Sequence, residues 1–277
     1  MIKKLIEYHQ KKIVKKVIST DPIPILYPEK RLILLWNAKS GSTFAIKWMF
    51  AQMGLLEKAS KYHNWVHNYR SNVYYKSKDY KAGEQLFLNN LKSFNAIKIV
   101  VNPFKRAVDS YIQACIHGYE DKKLSVFLKR NINPKIRFSF REFADYLSSI
   151  DITGCDIHHK MQTSELERKD YLRSLKIIHL EDSMQEIPLF EKIHNLKKID
   201  LSVLRKSPHH RPKYKTSEFM GDVVMNKIYK VRKPTLPEYQ QFYDEEIIEI
   251  IKNVYQEDFE RYNYEMKLDL GNIDENR

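Results

Sequence analysis

The stretch LILLWNAKSGSTF, residues 32–44, decides the fold of this 277-residue chain. The apolar run at 32–36 is typical of a buried strand, and residues 42 to about 54 have the spacing of a helix. A tight turn containing Gly41 joins the two elements. A strand, a glycine turn and a helix N-terminus together predict an anion-binding site. The first N–H groups of a helix have no partner within it, and the helix dipole is positive there.

The polar side chains of this turn suit a phosphate or a sulfate. Lys39 supplies a charge, Gly41 lets the backbone approach the anion, and Ser42 and Thr43 supply hydroxyl donors. In a Walker A loop the lysine follows the last glycine, whereas Lys39 precedes Gly41. This order argues against ordinary ATP or GTP hydrolysis. The alternative interpretation is a plain turn in which a serine caps the helix.

The composition limits the classes of function. The chain carries 48 Lys and Arg against 35 Asp and Glu, a net charge of +13, which attracts nucleotides, sulfated sugars, nucleic acid or lipid head groups alike. No zinc-finger, helix-turn-helix or RNA-recognition motif supports nucleic acid. No apolar run approaches the roughly 20 residues that cross a bilayer. The two cysteines exclude a disulfide framework. We therefore expect a soluble cytoplasmic protein that binds no nucleic acid.

The N-terminal residues 1–30 are predicted to form a basic helical extension. Residues 1–20 have an amphipathic pattern, with Ile2, Leu5, Ile13, Val14 and Val17 on one side. They lack the apolar core of a signal peptide. Two interpretations of the lysine-rich side remain open: a solvated face, or contact with an anionic surface such as the inner membrane.

Further elements follow the opening stretch along the chain. Strands that alternate with helices predict an α/β fold with a parallel sheet covered on both faces. Ligands bind such sheets at the carboxyl ends of the strands, where the Gly41 turn lies. The pattern predicts strands at 96–101, 175–182 and 199–204, helices at 104–117, 140–147 and 244–262, and a basic loop at 205–233.

The segment NAKSGSTF, residues 37–44, resembles the 5′-phosphosulfate loop of sulfotransferases that use 3′-phosphoadenosine 5′-phosphosulfate (PAPS), and in particular the bacterial carbohydrate type. The resemblance implies a single P-loop-like three-layer domain over residues 31–277, with a central parallel sheet flanked by helices. It implies that a sulfuryl group moves from PAPS to a hydroxyl of a carbohydrate or glycolipid, with no metal. It places Lys39 beside the oxygen that bridges phosphate and sulfate, and assigns donor binding to Lys39, Ser40, Gly41, Ser42, Thr43 and Phe44.

Four other segments, in the family's order, carry the same resemblance. Residues 99–111 resemble the strand and helix that bind the 3′-phosphate, and 156–162 resemble a His-to-Gln segment of carbohydrate sulfotransferases. Residues 177–182 match a strand ending in Glu-Asp, and 255–264 match the closing helix. Phe44 takes the place of an aromatic near the adenine, although a core position is favoured for it.

Two residues depart from the family pattern at the 3′-phosphate. Val101 stands where the family has arginine, and Asp109 where it has serine. Arg106 and Ser110 lie nearby in sequence, and Arg211 belongs to a late basic loop that helps to hold this phosphate in the family. These three residues are therefore the candidates for the 3′-phosphate.

Sulfuryl transfer to a hydroxyl also needs a base, commonly histidine. In carbohydrate-type members a base often follows the helix after the phosphosulfate loop. His67 is the first candidate there and His63 the second. Because they are four residues apart, we expect them to share one helix face. A structural histidine pair is the alternative, and His158 is a lesser candidate.

Two alternative functions stay open. Val101 and Asp109 are also compatible with a catalytically impaired protein of the sulfotransferase fold that binds an anionic glycan. An enzyme that handles phosphate from a different nucleotide donor is the other alternative.

Overall fold

The computed structural model describes residues 2–20, 22–169, 171–204, 213–214, 218–224 and 235–270. The chain divides into two compact units. The first comprises Met1–Val101 and Thr163–Pro208, and the second comprises Asn102–Gln162 and His209–Arg277.

A four-stranded sheet forms the centre of the first unit, in the order β1-β2-β3-β4. β2, β3 and β4 run parallel, and β1 pairs with β2 in the antiparallel direction. The predicted α/β fold with a central, mostly parallel sheet flanked by helices is confirmed, while the antiparallel edge strand was not predicted. The strands are β1 (Ile25–Tyr27), β2 (Leu32–Leu35), β3 (Asn95–Val100) and β4 (Ser174–His179).

Helices cover both faces of this sheet. All four residues of β2 are buried, and successive side chains of a strand point to opposite faces, so neither face of β2 is open to solvent. The described helices of this unit, numbered along the whole chain, are α1 (Ile2–Ile18), α2 (Ser42–Gln52), α3 (Leu56–Tyr62), α4 (Val66–Asn72), α5 (Lys78–Asn89), α9 (Glu165–Arg168), α10 (Ser183–Ile193) and α11 (Leu201–Leu204).

One charged residue lies inside the apolar run of β3. The ammonium of Lys98 is 2.5 Å from a carboxylate oxygen of Glu167, and both side chains are buried. Glu167 also accepts the N–H of Ser164 in a capping box at the start of α9. Burying this lysine is tolerable because its charge is paired.

The predicted strand at 199–204 is wrong, because residues Leu201–Leu204 are helical. The Asp200 carboxylate accepts hydrogen bonds from both the backbone and the hydroxyl of Ser202. Such local bonds favour a turn over a strand. Leu201 and Leu204 are buried while Val203 is 56% exposed, which is the three-residue spacing of a helix.

Helices also dominate the described part of the second unit. Ser139 and Glu142, three residues apart in the sequence, form a capping box at the start of the helix Phe140–Ser148. The predicted helix at 244–262 is interrupted at Tyr255. The helices are α6 (Pro103–His117), α7 (Asp121–Phe127), α8 (Phe140–Ser148), α12 (Glu245–Val254) and α13 (Gln256–Tyr262), and two short strands, β5 (Lys213–Tyr214) and β6 (Leu236–Pro237), form a parallel pair.

The predicted N-terminal helix is present as α1. Val14 and Ile18 are fully buried in the core of the first unit, whereas Lys12, Lys15 and Lys16 are exposed. The described helices include none long and apolar enough to cross a bilayer. A separate extension at residues 1–30 and membrane contact through residues 1–20 stay predictions.

Candidate functional site

The turn between β2 and α2 has an unusual backbone. Lys39 has φ 65° and Gly41 has φ 69°, and Ser40 lies between them. Within this turn the N–H of Ser40 donates to the carbonyl of Asn37 at 3.4 Å. A lysine in this conformation is strained, because its Cβ approaches the neighbouring backbone. Such strain clusters at functional sites.

The helix that follows begins without a side-chain cap. Gly41 is the N-cap of α2 and has no side chain with which to cap it. The first turn consists of Ser42 and Thr43, both half-buried, and Phe44, which is 9% exposed and lies in the core. The predicted alternative of a serine N-cap is wrong. The position of Phe44 agrees with the core role favoured for it, and a role at the adenine stays a prediction.

Leu180 explains why residue 41 has no side chain. This leucine follows β4, and its Cδ1 would lie 2.7 Å from a Cβ attached to Gly41. Contacts that short do not occur between real side chains, so either the end of the Leu180 side chain or the turn would have to move. The positive φ of residue 41 favours glycine, and the nearby leucine adds to that preference.

His67 reaches the same helix start from α4. It is 8% exposed, and its Nε2 lies 3.3 Å from the hydroxyl oxygen of Thr43. Its Nδ1 lies 2.6 Å from Nη1 of Arg70, one turn farther along α4. The structure thus brings the first base candidate to the predicted anion site.

Arg70 was not singled out from the sequence. Its guanidinium carbon lies 4.2 Å above the ring centre of Trp36, the residue that follows β2. The indole N–H of Trp36 donates to the carbonyl of Ile23 at 2.6 Å and so fixes the ring. The three-residue spacing of His67 and Arg70 was the available signal, since residues three apart on a helix are neighbours.

His63 does not share a helix face with His67, so that prediction is wrong. His63 ends α3 in an extended conformation, with φ −163° and ψ 144°. It is exposed, and its Nδ1 accepts the backbone N–H of Trp65 at 2.9 Å. The helical conformation is interrupted between α3 and α4. His63 therefore lies at the end of α3, and His67 lies on α4.

The sequence model of the sulfotransferase family matches residues 26–265. The chain belongs to the sulfotransferase family. No curated protein and no solved structure matches it. Membership supports sulfuryl transfer to an acceptor, and the match covers the Lys39 turn, α4 and the closing helix α13.

Two other motif segments, 156–162 and 255–264, contact each other in the second unit. Asp258 of α13 is fully buried and accepts the backbone N–H of Gln162 at 2.7 Å. The hydroxyl of Tyr255 donates to the carbonyl of His159 at 2.6 Å. These bonds hold the His-to-Gln segment against the closing helix. His158, the lesser base candidate, lies 2.7 Å from the Asp156 carboxylate.

Two of the three 3′-phosphate candidates, Arg106 and Ser110, lie on α6 in the second unit. Arg106 is 1% exposed and donates to the carbonyl of Lys160 at 2.6 Å, and Ser110 is fully buried. Asp109, which stands where the family has serine, lies 3.8 Å from the ammonium of Lys105. A role for Arg106 and Ser110 at the 3′-phosphate stays a prediction. Arg211 and the basic loop at 205–211 lie outside the described residues.

Proposed function

We propose that this protein transfers a sulfuryl group from PAPS to a hydroxyl of a carbohydrate or glycolipid acceptor. The observation that carries the proposal is the position of Lys39. It lies on a strained turn at the N-terminus of a helix whose N-cap, Gly41, has no side chain. A cation beside the first N–H groups of a helix suits a reaction that leaves charge on a phosphate oxygen.

The chemistry follows from these groups. PAPS supplies a sulfuryl group activated by its bond to a phosphate. The acceptor oxygen forms a bond to sulfur as the bond between sulfur and the bridging oxygen breaks. The electron pair passes to the phosphate, and the proton of the acceptor hydroxyl passes to solvent water. Lys39 stabilises the negative charge that develops on the bridging oxygen. The first N–H groups of α2 and the hydroxyls of Ser42 and Thr43 hold the 5′-phosphate.

The surroundings of His67 support a sugar as the acceptor. Trp65 is 40% exposed and Tyr62 is 51% exposed. The Trp65 ring centre lies 5.1 Å from that of His67, within the first unit. Exposed rings beside a polar site suit the apolar faces of sugar rings, with nearby polar groups fixing the orientation.

Titration calorimetry with 3′-phosphoadenosine 5′-phosphate tests the donor. We expect affinity in the micromolar range, weakened about tenfold or more by Lys39→Ala, because a charge-assisted contact contributes about 1.5–3 kcal/mol. Lys58→Ala, which removes an exposed lysine of α3, is the matched control for net charge. Absence of binding at millimolar nucleotide would contradict the proposal, and tight binding of ATP with magnesium instead would favour a different phosphate donor.

Transfer of radioactive sulfate tests the acceptor. We expect label from PAPS to enter desulfated heparin or other purified glycans rather than 2-naphthol, a phenol. Trp65→Ala is expected to raise the acceptor KM by about tenfold, since a buried aromatic contact contributes about 1–2 kcal/mol. Its affinity for the nucleotide should stay the same. Tyr8→Ala, which removes a ring that is 70% exposed on α1, is the control. Labelling of the phenol alone would contradict a sugar acceptor.

The second candidate function rests on Val101 and Asp109. Val101 is fully buried, and its side chain has no group that binds phosphate. A protein that has lost donor binding would bind an anionic glycan without turnover. Retained glycan binding together with no nucleotide binding in the calorimetric test would favour this function over sulfuryl transfer.

A further inference from the structure

Arg70 fixes the direction of the hydrogen bonds around His67. A guanidinium carries donors only and keeps its charge at every accessible pH. Its Nη1 lies 2.6 Å from His67 Nδ1, so Nδ1 accepts this bond. An imidazole ring whose Nδ1 accepts carries its proton on Nε2 when neutral.

The hydrogen bond between His67 and Thr43 has the same direction, with His67 as donor and Thr43 as acceptor. Nε2 lies 3.3 Å from the Thr43 hydroxyl oxygen, and with the proton on Nε2 the hydroxyl accepts this bond. The hydroxyl proton of Thr43 then turns away from His67. Thr43 is the second residue of α2, so its hydroxyl belongs to the first turn of the helix, where the anion is proposed to bind.

We propose that Arg70, His67 and Thr43 form a one-directional chain of donors that ends on the phosphosulfate of the donor nucleotide. Arg70 is its positioning residue. In this chain His67 donates through Nε2 rather than acting as the general base that the sequence predicted. The inference rests on the proposed function. It adds two residues of α4 to the recognition of the nucleotide.

The chain suits the chemistry of its ligand. Phosphate and sulfate oxygens at neutral pH are acceptors, and donors from charged or polarised groups bind them most strongly. If Nε2 instead carried a lone pair, Thr43 would donate to His67 and present its own lone pairs to the anion. Arg70 prevents that reversal, and its position over Trp36, 4.2 Å from the ring centre, holds it in place.

Replacing His67 by glutamine and by asparagine distinguishes a hydrogen-bond donor from a general base. The amide nitrogen of glutamine reaches the position of Nε2, and that of asparagine the position of Nδ1. We expect His67→Gln to bind 3′-phosphoadenosine 5′-phosphate within about threefold of the native protein and to retain turnover. His67→Asn should lose about tenfold or more in affinity, the loss expected for one charged hydrogen bond. If turnover is lost equally in both variants while nucleotide affinity stays native, His67 is the base and the proposal fails.

The ring tautomer gives a readout that does not depend on activity. In protein labelled with ¹⁵N-histidine, the His67 ring, assigned from the spectrum of His67→Gln, should be protonated on Nε2 only. Arg70→Met should shift it towards a mixture of tautomers and weaken nucleotide binding, and Arg70→Lys should restore part of the preference. A native ring protonated on Nδ1 would overturn the proposal even if Arg70 variants fold poorly.

The two proposals fail in different ways. If the native protein binds no 3′-phosphoadenosine 5′-phosphate, sulfuryl transfer fails and the donor chain loses its ligand. If the native protein binds the nucleotide and the ring is protonated on Nδ1, the donor chain fails while sulfuryl transfer stands. Binding together with the Nε2 tautomer and the glutamine–asparagine difference supports both.

Discussion

Alanine at position 39 is expected to lower the rate of sulfuryl transfer by about 10²–10³-fold, the usual cost of removing one preorganised group that stabilises transition-state charge. In the proposed reaction Lys39 acts where the phosphate oxygen gains its charge, so the loss should appear in kcat as well as in kcat/KM. The measurement is single-turnover transfer from PAPS with the nucleotide site saturated. A Lys39→Ala protein with native kcat would show that the charge serves binding alone.

A comparison of Lys39→Gly with Lys39→Ala tests the strain in the backbone at this position. Lys39 has φ 65°, and a left-handed conformation costs a residue with a Cβ roughly 1–2 kcal/mol. Lys39→Gly and Lys39→Ala should lose the same activity. The glycine variant should be more stable to urea by up to about 1 kcal/mol, after the higher entropy of unfolded glycine is subtracted. Equal stability of the two variants would mean that the turn relaxes around alanine.

The sequence was sufficient where local rules decide the structure. An apolar run, a glycine turn and a helical repeat follow each other in residues 32–54, and the structure forms β2, the turn and α2 there. Ser139 and Glu142 are three residues apart, the spacing of a capping box, and they form one. Each of these features depends on contacts within a few residues, which spacing alone predicts.

Segments in which local hydrogen bonds compete with regular secondary structure were predicted less well. Residues 199–204 read as an apolar strand, yet the Asp200 side chain bonds to Ser202 and starts a helical turn. His63 and His67 have helical spacing, yet α3 ends at His63. In the first place a side-chain hydrogen bond, and in the second the end of a helix, overrides the structure that the spacing of residue types predicts. The spacing alone does not show how strongly such local interactions compete.

Contacts between distant segments could not be predicted at all. Leu180 lies against Gly41 although 139 positions separate them in sequence. The stacking of Arg70 on Trp36 likewise depends on how α4 packs beside the end of β2. These tertiary contacts place Leu180 against the turn and Arg70 beside Trp36. The sequence therefore predicted an anion site at this turn, which stays a prediction, but not the contacts around it.

Alanine at position 41 is expected to lower the affinity for 3′-phosphoadenosine 5′-phosphate by about 100-fold, since a displacement of about 1 Å in a preorganised site has an effect of that size. Two causes combine: the positive φ of 69° and the 2.7 Å approach of Leu180 Cδ1 to the added Cβ. A movement of the turn from either cause would displace the N–H groups that are proposed to hold the phosphate. Calorimetry and urea unfolding measure the two consequences.

A double-mutant cycle with Leu180→Ala separates these causes. In the Gly41→Ala background, truncating Leu180 removes the steric overlap and leaves the backbone strain. Partial recovery of nucleotide affinity would assign the recovered share to the overlap and the remainder to φ. No recovery would assign the whole loss to the backbone. Native affinity in Gly41→Ala itself would mean that the anion does not approach this turn, and the phosphate would then have to bind elsewhere than at the start of α2.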